Sequence, residues 1–366
     1  MGIVANRFSD IAEHCVAGCT VLSLAKGRPR RRLVFINVSG GVQTWRKVKD
    51  GVLPSNNLWG CIELVRLGYE VAIVPALPDF YYWRRPLPHD LRWTRITRDW
   101  LGADGVVYCA HNTMFWLPLL EHLGILRTRV VGLLYAREPL DWARGYAGII
   151  ALTPAAADHA RRLAPNAKVG LLAWGVDLGY LPSLSYDPKA FLVCGRTNRD
   201  DCTLSLAAAQ CGHSVDVIWH DAKEDVTWPQ NVRVVPGGPG WDTRLPFPVF
   251  LKQYYSGSIA SLIVLRGDPL EKTACGFTGL IEAMGMARPV IVTRTGAVPG
   301  AIDVEGLGVG LFVPPGDPKA LAQAMETIAQ DPERAKAMGE RGRRLVEEYY
   351  NIERFGRDLH AFFESL

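Results

Sequence analysis

The sequence predicts two α/β domains in tandem, each a mostly parallel sheet flanked by helices. Three observations carry that expectation. The chain has 366 residues, and single α/β cores stop growing at about 250–300 residues. Short apolar runs closed by glycine or a polar turn recur along it, separated by stretches with helical spacing; such alternation implies crossover connections and parallel strands. One turn-rich stretch, Leu181–Pro188 (LPSLSYDP), interrupts the alternation and lets it restart. The expected domains are therefore residues 1–182 and 189–350.

In the first half the strand-like runs are Leu33–Val38 (LVFINV), Glu70–Pro75, Gly105–Ala110 (GVVYCA), Arg129–Leu134 and Gly148–Leu152. Their unbroken apolarity marks strands buried on both faces. Helical spacing fills Leu58–Leu67 and Trp116–Leu123 between them. After the break come Ala190–Cys194, Ser214–Trp219, Val232–Val235, Ile259–Leu265, Pro289–Val292 and Gly310–Val313. Helices are expected at Thr203–Gln210, Phe247–Tyr255, Leu280–Ala287, Lys319–Gln330 and Pro332–Tyr349. A last helix, Ile352–Leu366, sets Phe355, Leu359, Phe362 and Phe363 on one side.

The N-terminal apolar run Cys15–Ala25 is read as a helix with one buried face. Acidic Asp10 and Glu13 precede it and basic Arg28, Arg30, Arg31 and Arg32 follow it, the reverse of a secretory leader's charge order. It is too short to cross a bilayer, and Asn6 stands where a myristoylation motif needs Ser or Thr. Eight cysteines occur with no CxxC pair and no zinc-ligand spacing, so no metal is expected and a reducing cytoplasm is the simplest location. The formal charge of +4 is too mild for a nucleic-acid binder.

The chemistry concentrates in Cys275–Thr293 (CGFTGLIEAMGMARPVIVT). An apolar strand ending at Leu265 leads through a polar loop to a glycine turn and a helix. Gly276 and Gly279 let a ligand approach the backbone, and the N–H groups of a first helical turn attract an anion such as a diphosphate. Glu282, just inside the helix, is placed to accept two ribose hydroxyls. Against this stands a plainer reading, in which the glycines only form the turn and Glu282 only favours the helix dipole.

GFTGLIEAMGMARPVIVT resembles the signature of the family 4 retaining glycosyltransferases. Glu282, Ala283, Met284, Pro289, Val290 and Ile291 match its E-A-M…P-V-I without gaps, and Gly276 and Phe277 match its G-F once one residue is taken as missing between them and Glu282. Val313–Met325 (VPPGDPKALAQAM) resembles the family's next block. The resemblance implies the GT-B fold, two facing Rossmann-like domains with a cleft between them and the last helix, 351–366, packing back on the first. Gly40–Gly41 resembles the Gly-Gly loop that approaches the donor phosphate. His111 resembles the histidine set against the donor sugar, there to hydrogen-bond it. Trp174–Asp177 (WGVD) resembles the N-G-V-D element before the linker, and Cys194-Gly195-Arg196 resembles the V-G-R turn whose Arg grips the diphosphate. Arg199 is the nearest counterpart of the family's second basic residue, a Lys.

One departure concerns the donor sugar. The family pairs the carboxylate at 282 with a Glu eight residues earlier, where this chain has Ala274. Glu271 is the candidate replacement beside Asp268, and the adjacent Lys272 is a further phosphate contact. The resemblance thus implies a catalytic set of His111, Arg196 and Glu271. It implies donor contacts from Gly40, Gly41, Arg199, Lys272, Gly276, Phe277, Thr278, Gly279, Leu280 and Glu282.

The expected activity is retaining transfer of a sugar from a nucleotide-diphosphate sugar, UDP-linked by preference, to an acceptor hydroxyl. No other cofactor is expected, and no Asp-x-Asp pair suggests a metal. The acceptor is unidentified, with a small molecule, a glycan or a lipid-linked acceptor as the expected classes. The loop Pro78–Arg95 (PDFYYWRRPLPHDLRWTR) mixes aromatics and arginines suited to such an acceptor or to a peripheral contact at the inner membrane face, and its His89 is a candidate base. Alternative readings are a nucleotide-sugar epimerase of the same fold and a degenerate nucleotide-sugar-binding protein.

Overall fold

The computed structural model describes residues 7–37, 41–75, 97–110, 116–135, 140, 142–181, 184–195, 198–220, 226–236, 251–267, 275–295 and 301–366. The chain divides into two compact units, Met1–Trp174 with Ile352–Leu366, and Gly175–Asn351.

The first unit holds an eight-stranded sheet in the order β1-β2-β4-β3-β5-β6-β7-β8. Its strands are β1 (Ile11–Val16), β2 (Cys19–Leu24), β3 (Arg31–Ile36), β4 (Tyr69–Ile73), β5 (Val106–Cys109), β6 (Arg129–Leu134), β7 (Gly148–Ala151) and β8 (Lys168–Leu171). From β4 to β8 all neighbours are parallel. The apolar runs are buried as expected: Leu33, Val34 and Phe35 of β3 are inaccessible.

Cys15–Ala25 is not a helix. It lies mostly in an antiparallel hairpin, β1 with β2, and β2 also pairs antiparallel with β4. Ala17 (φ 48°) and Gly18 (φ 85°) form the two-residue turn. Two left-handed residues twist a hairpin in the same sense as its strands. Val16, Thr20 and Val21 are β-branched and suit this pairing.

On the sheet's faces lie α1 (Gly41–Lys49), α2 (Cys61–Arg66), α3 (Trp116–His122) and α4 (Pro154–Leu163). Of these, α1 and α4 were not anticipated, although Thr153-Pro154 is a clear start signal: the Thr153 hydroxyl accepts the Ala156 N–H at 3.2 Å and Pro154 occupies the first turn. The last helix, α9 (Ile352–Glu364), packs on α2 within this unit. Phe355, Leu359 and Phe363 are fully buried and Phe362 nearly so, worth about 2 kcal/mol each. Two glycines permit the approach. A Cβ on Gly60 would stand 2.5 Å from Leu359, and one on Gly356 would overlap Glu63. Arg31, from the basic cluster, donates to the Phe363 carbonyl at 2.6 Å.

The second unit holds six parallel strands in the order β11-β10-β9-β12-β13-β14. They are β9 (Ala190–Cys194), β10 (Ser214–His220), β11 (Val232–Pro236), β12 (Ser258–Ile263), β13 (Val290–Thr293) and β14 (Gly310–Val313). Counted within the unit this is 3-2-1-4-5-6, the Rossmann order, which reverses between β9 and β12. Helices α5 (Asp201–Gln210), α6 (Phe277–Gly285), α7 (Pro318–Ala329) and α8 (Pro332–Tyr349) cover it.

Arg288, only 1% exposed, fixes part of the turn-rich stretch in this unit. It donates to the carbonyls of Ser185 at 2.7 Å and Tyr255 at 2.6 Å and lies over the Tyr186 ring. Among the described residues no helix is long and apolar enough to cross a membrane.

Candidate functional site

In open α/β sheets, ligands bind outside the carboxyl ends of the strands where the strand order reverses. In the second unit that point is defined by the ends of β9 and β12, and the chain there is polar, buried and incompletely paired.

After β9, Gly195 adopts φ +101°, which only glycine takes readily, and a Cβ there would collide with the Arg199 guanidinium. Arg199 therefore folds back over the turn and donates Nη2 to the Cys194 carbonyl at 2.6 Å. Its backbone pairs with Leu265 beyond β12, so the two loops are joined at this edge. Its Nε and Nη1 are buried with no hydrogen-bond partner among the described residues. Burial pulls the guanidinium's pKa below the usual arginine range, against the raising effect of Cys194 and Cys275 nearby. A buried guanidinium with two idle donors is costly unless an anion completes it.

The start of α6 supplies the second half. Gly276 precedes the helix at φ +85°, and a Cβ would stand 2.6 Å from Ile263 Cγ2, so glycine is required by both backbone and packing. The helices α5, α7 and α8 each begin at an aspartate whose carboxylate accepts an N–H of the first turn, at 3.1, 2.9 and 2.9 Å. In contrast, α6 has no side-chain cap. Among the described residues no side chain caps its first-turn N–H groups, which leaves them available to an anion. Gly279 is required by neither φ nor packing, since no described atom lies within 4 Å of where its Cβ would be.

Glu282 sits one turn on. Its carboxyl makes no hydrogen bond to any described residue, and burial pushes its pKa up to about 7. Phe277 and Leu280 turn their side chains into the core. The Leu280 N–H is bonded to the Gly276 carbonyl at 2.9 Å, so Phe277, Thr278 and Gly279 are the backbone donors.

The structure thus brings Arg199, Gly276, Phe277, Thr278, Gly279, Leu280 and Glu282 to one edge of one sheet. Gly41, in the first unit, opens α1, and its missing side chain is explained by packing, since a Cβ would stand 2.6 Å from Ile73. Gly40, His111, Arg196, Glu271, Lys272 and the loop 78–95 lie outside the described residues. Sequence reasoning missed Arg266. This exposed arginine follows β12 at the same edge and donates Nε to the Arg199 carbonyl at 3.2 Å. The signal was a cation at the carboxyl end of a buried strand. Among the described residues, no cluster of three or more His, Cys, Asp or Glu could hold a metal ion.

With that geometry in hand, the comparisons are informative. The chain is similar to the sucrose-phosphate synthase of Thermosynechococcus elongatus over 92% of its own length and 99% of that chain, at 15% identity and a TM-score of 0.68. A glycosyltransferase from Rickettsia africae ESF-5 gives 14% identity and a TM-score of 0.66 over 93% and 99% of the two chains. Anabaena HepE, in complex with UDP and glucose, gives 14% and 0.60 over 92% and 100%. No curated protein matches by sequence. Two α/β sheets arranged in this way have the GT-B fold, the fold of a large class of glycosyltransferases. Within that class, residues 257–331, which run from β12 through α6 to the end of α7, match the family model "Glycosyl transferases group 1".

Proposed function

We propose that the protein transfers a sugar, with retention, from a nucleoside-diphosphate sugar to an acceptor hydroxyl, and that the donor is UDP-linked. The observation that carries this reading is the Arg199 guanidinium, buried with Nε and Nη1 unpartnered among the described residues, beside the uncapped start of α6. A diphosphate has the charge and oxygen count to satisfy both. The complex of HepE with UDP-glucose supports UDP as the nucleotide.

Breaking the anomeric C–O bond leaves negative charge on the departing diphosphate. Donors fixed beforehand stabilise that charge without reorganising during the reaction. Arg199 and the Phe277–Gly279 amides take this role, with Arg196 and Lys272 as further cations, so that basic groups do what a metal ion does in other transferases. Glu282 accepts two ribose hydroxyls. The Gly40–Gly41 loop approaches the diphosphate, His111 hydrogen-bonds the sugar, and Glu271 replaces the carboxylate missing at Ala274. Retention follows from attack on the face the phosphate leaves, with that phosphate receiving the acceptor's proton. Residues 1–182 with the last helix form the acceptor domain and 189–350 the donor domain.

The test is a panel of nucleotide sugars incubated with pure protein. Slow release of free UDP from one sugar supports transfer. Interconversion of the sugar without release identifies an epimerase, and binding with neither identifies a non-catalytic binder. Glu271→Ala should spare UDP binding and lower turnover of the chosen donor.

A further inference from the structure

Every helix of a parallel sheet returns the chain to the edge where its strands begin, opposite the ligand-binding edge. In the first unit that amino edge has an unusual surface. The loop after α3 exposes Leu123 (58%) and Ile125 (68%), the segment before β7 exposes Trp142 (39%), and the end of α4 exposes Leu163 (42%). These are four of the nine large hydrophobic residues the described protein exposes. Trp142 stacks near His122 with ring centroids 6.0 Å apart, so the α3 end and the β7 approach form one patch. Strands β6 to β8 lie side by side, which puts Leu163 within about 10 Å of the same line.

Among the described residues, the charges on this edge that lack an ion-pair partner are arginines. Arg127, Arg144 and Arg162 are exposed and have no ion-pair partner among the described residues. The carboxylates here are compensated: Asp104 faces Arg129 at 3.6 Å and Asp158 pairs with Arg161 at 2.8 Å. Glu121 accepts the Thr128 N–H, and burial holds its pKa up to about 7.

We propose that this amino edge docks on an anionic lipid bilayer, with Leu123, Ile125, Trp142 and Leu163 entering the interface and Arg127, Arg144 and Arg162 meeting the headgroups. Aliphatic side chains beside a tryptophan and unpaired arginines match the two-layer chemistry of a bilayer surface, apolar below and anionic above. The groups come from three chain segments that return to the same edge of the sheet, which suits a flat target. The exposed apolar residues of the second unit, Leu206, Leu307 and Tyr349, come from α5, the turn before β14 and the end of α8.

The test is co-sedimentation of the full chain with vesicles of phosphatidylcholine alone or enriched in phosphatidylglycerol. The expected result is binding to the anionic vesicles that weakens as salt is raised. Replacing both Leu123→Ser and Ile125→Ser should lower the partition about tenfold or more. Arg127→Glu with Arg162→Glu should lower it by a similar factor, since each cation near such a surface contributes about fivefold. Leu206→Ser, on the other unit, should change nothing. Unchanged melting temperature and UDP affinity in these variants exclude misfolding. Equal binding to neutral and anionic vesicles, full binding by the Leu123/Ile125 variant, or no binding by the unaltered protein overturns the proposal. So does concentration-dependent dimerisation that those substitutions abolish without any vesicle binding.

Discussion

The two sheets end differently at the point where each reverses its strand order. In the first unit the reversal lies between β3 and β5, and the described residues there are closed off. Ala110 N–H bonds to the Ile36 carbonyl at 3.1 Å, Val74 N–H to that of Phe35 at 3.0 Å, and Gly41 is pressed against Ile73. In the second unit, the described residues at the reversal between β9 and β12 leave a buried guanidinium half-satisfied, a helix uncapped and a carboxyl unbonded. Among the described residues, the first edge is satisfied by its own packing, while the second leaves Arg199 and Glu282 with unbonded polar atoms. A protein tolerates such unfinished polar groups where they serve binding, because pairing them internally would abolish the site.

That contrast can be broken by substitution, and the largest effect should fall on the finished side. Phe355→Ala removes a fully buried ring from α9 and should destabilise the first unit by about 3–5 kcal/mol. Urea unfolding should register the loss while UDP titration gives an affinity unchanged within about twofold. A large loss of nucleotide affinity would mean the two units are not energetically separate.

Next comes Arg199→Met. On the unfinished side it should weaken UDP binding by about 1.5–3 kcal/mol, the value of hydrogen bonds to a charged group. It should leave the unliganded protein as stable or more so, because a buried, unpaired cation is replaced by an apolar chain of similar length. Calorimetric titration and a melting curve give the two numbers. A variant that melts lower and binds UDP normally would make Arg199 structural.

Glu282→Gln should have a smaller effect on affinity, about tenfold, and a clear one on protons. In the free protein the carboxyl has its pKa raised to about 7 by burial, whereas the ribose contact needs it ionised. Binding UDP near neutrality should therefore release a proton and tighten as pH rises from 6 to 8. Titration in buffers of different ionisation heat measures that release, which Gln at 282 should eliminate. Because the folded pKa lies above that of the unfolded chain, the protonated carboxyl favours folding at low pH. That advantage is lost as pH rises through about 7.

Smallest is Gly279→Ala. With open space where the Cβ would stand, alanine should stabilise α6 by about 0.5–1 kcal/mol. It should also weaken UDP binding a few-fold by crowding the approach, which a competition titration detects. Gain in stability with no loss in affinity would remove Gly279 from the site.

Much of this was legible in the sequence, for identifiable reasons. Strands such as Arg129–Leu134, Ala190–Cys194 and Gly310–Val313 are apolar runs with clear ends, so local pattern and fold agree. The glycine turn at Gly276 and the carboxylate at Glu282 could be read because the chemistry is written in adjacent residues. The hairpin at β1 and β2 could not, because its partner strand β4 lies some fifty residues away and a short apolar run does not declare its period. Nor could the lack of partners for Arg199 among the described residues: it depends on the left-handed Gly195, which lets the side chain fold back over the turn. The role of Arg31 was likewise hidden. A run of arginines suggests a solvated face, yet this one meets the carbonyl of Phe363, far along the chain.

The return of α9 to the first unit also fixes an order of events during synthesis. The second unit is one continuous stretch and can close as soon as Asn351 has left the ribosome. The first unit, although made earlier, cannot bury Tyr69 and Tyr108 against Phe363 until the last helix emerges. The older half of the chain waits, with its sheet formed and one face uncovered, for the younger half to fold ahead of it.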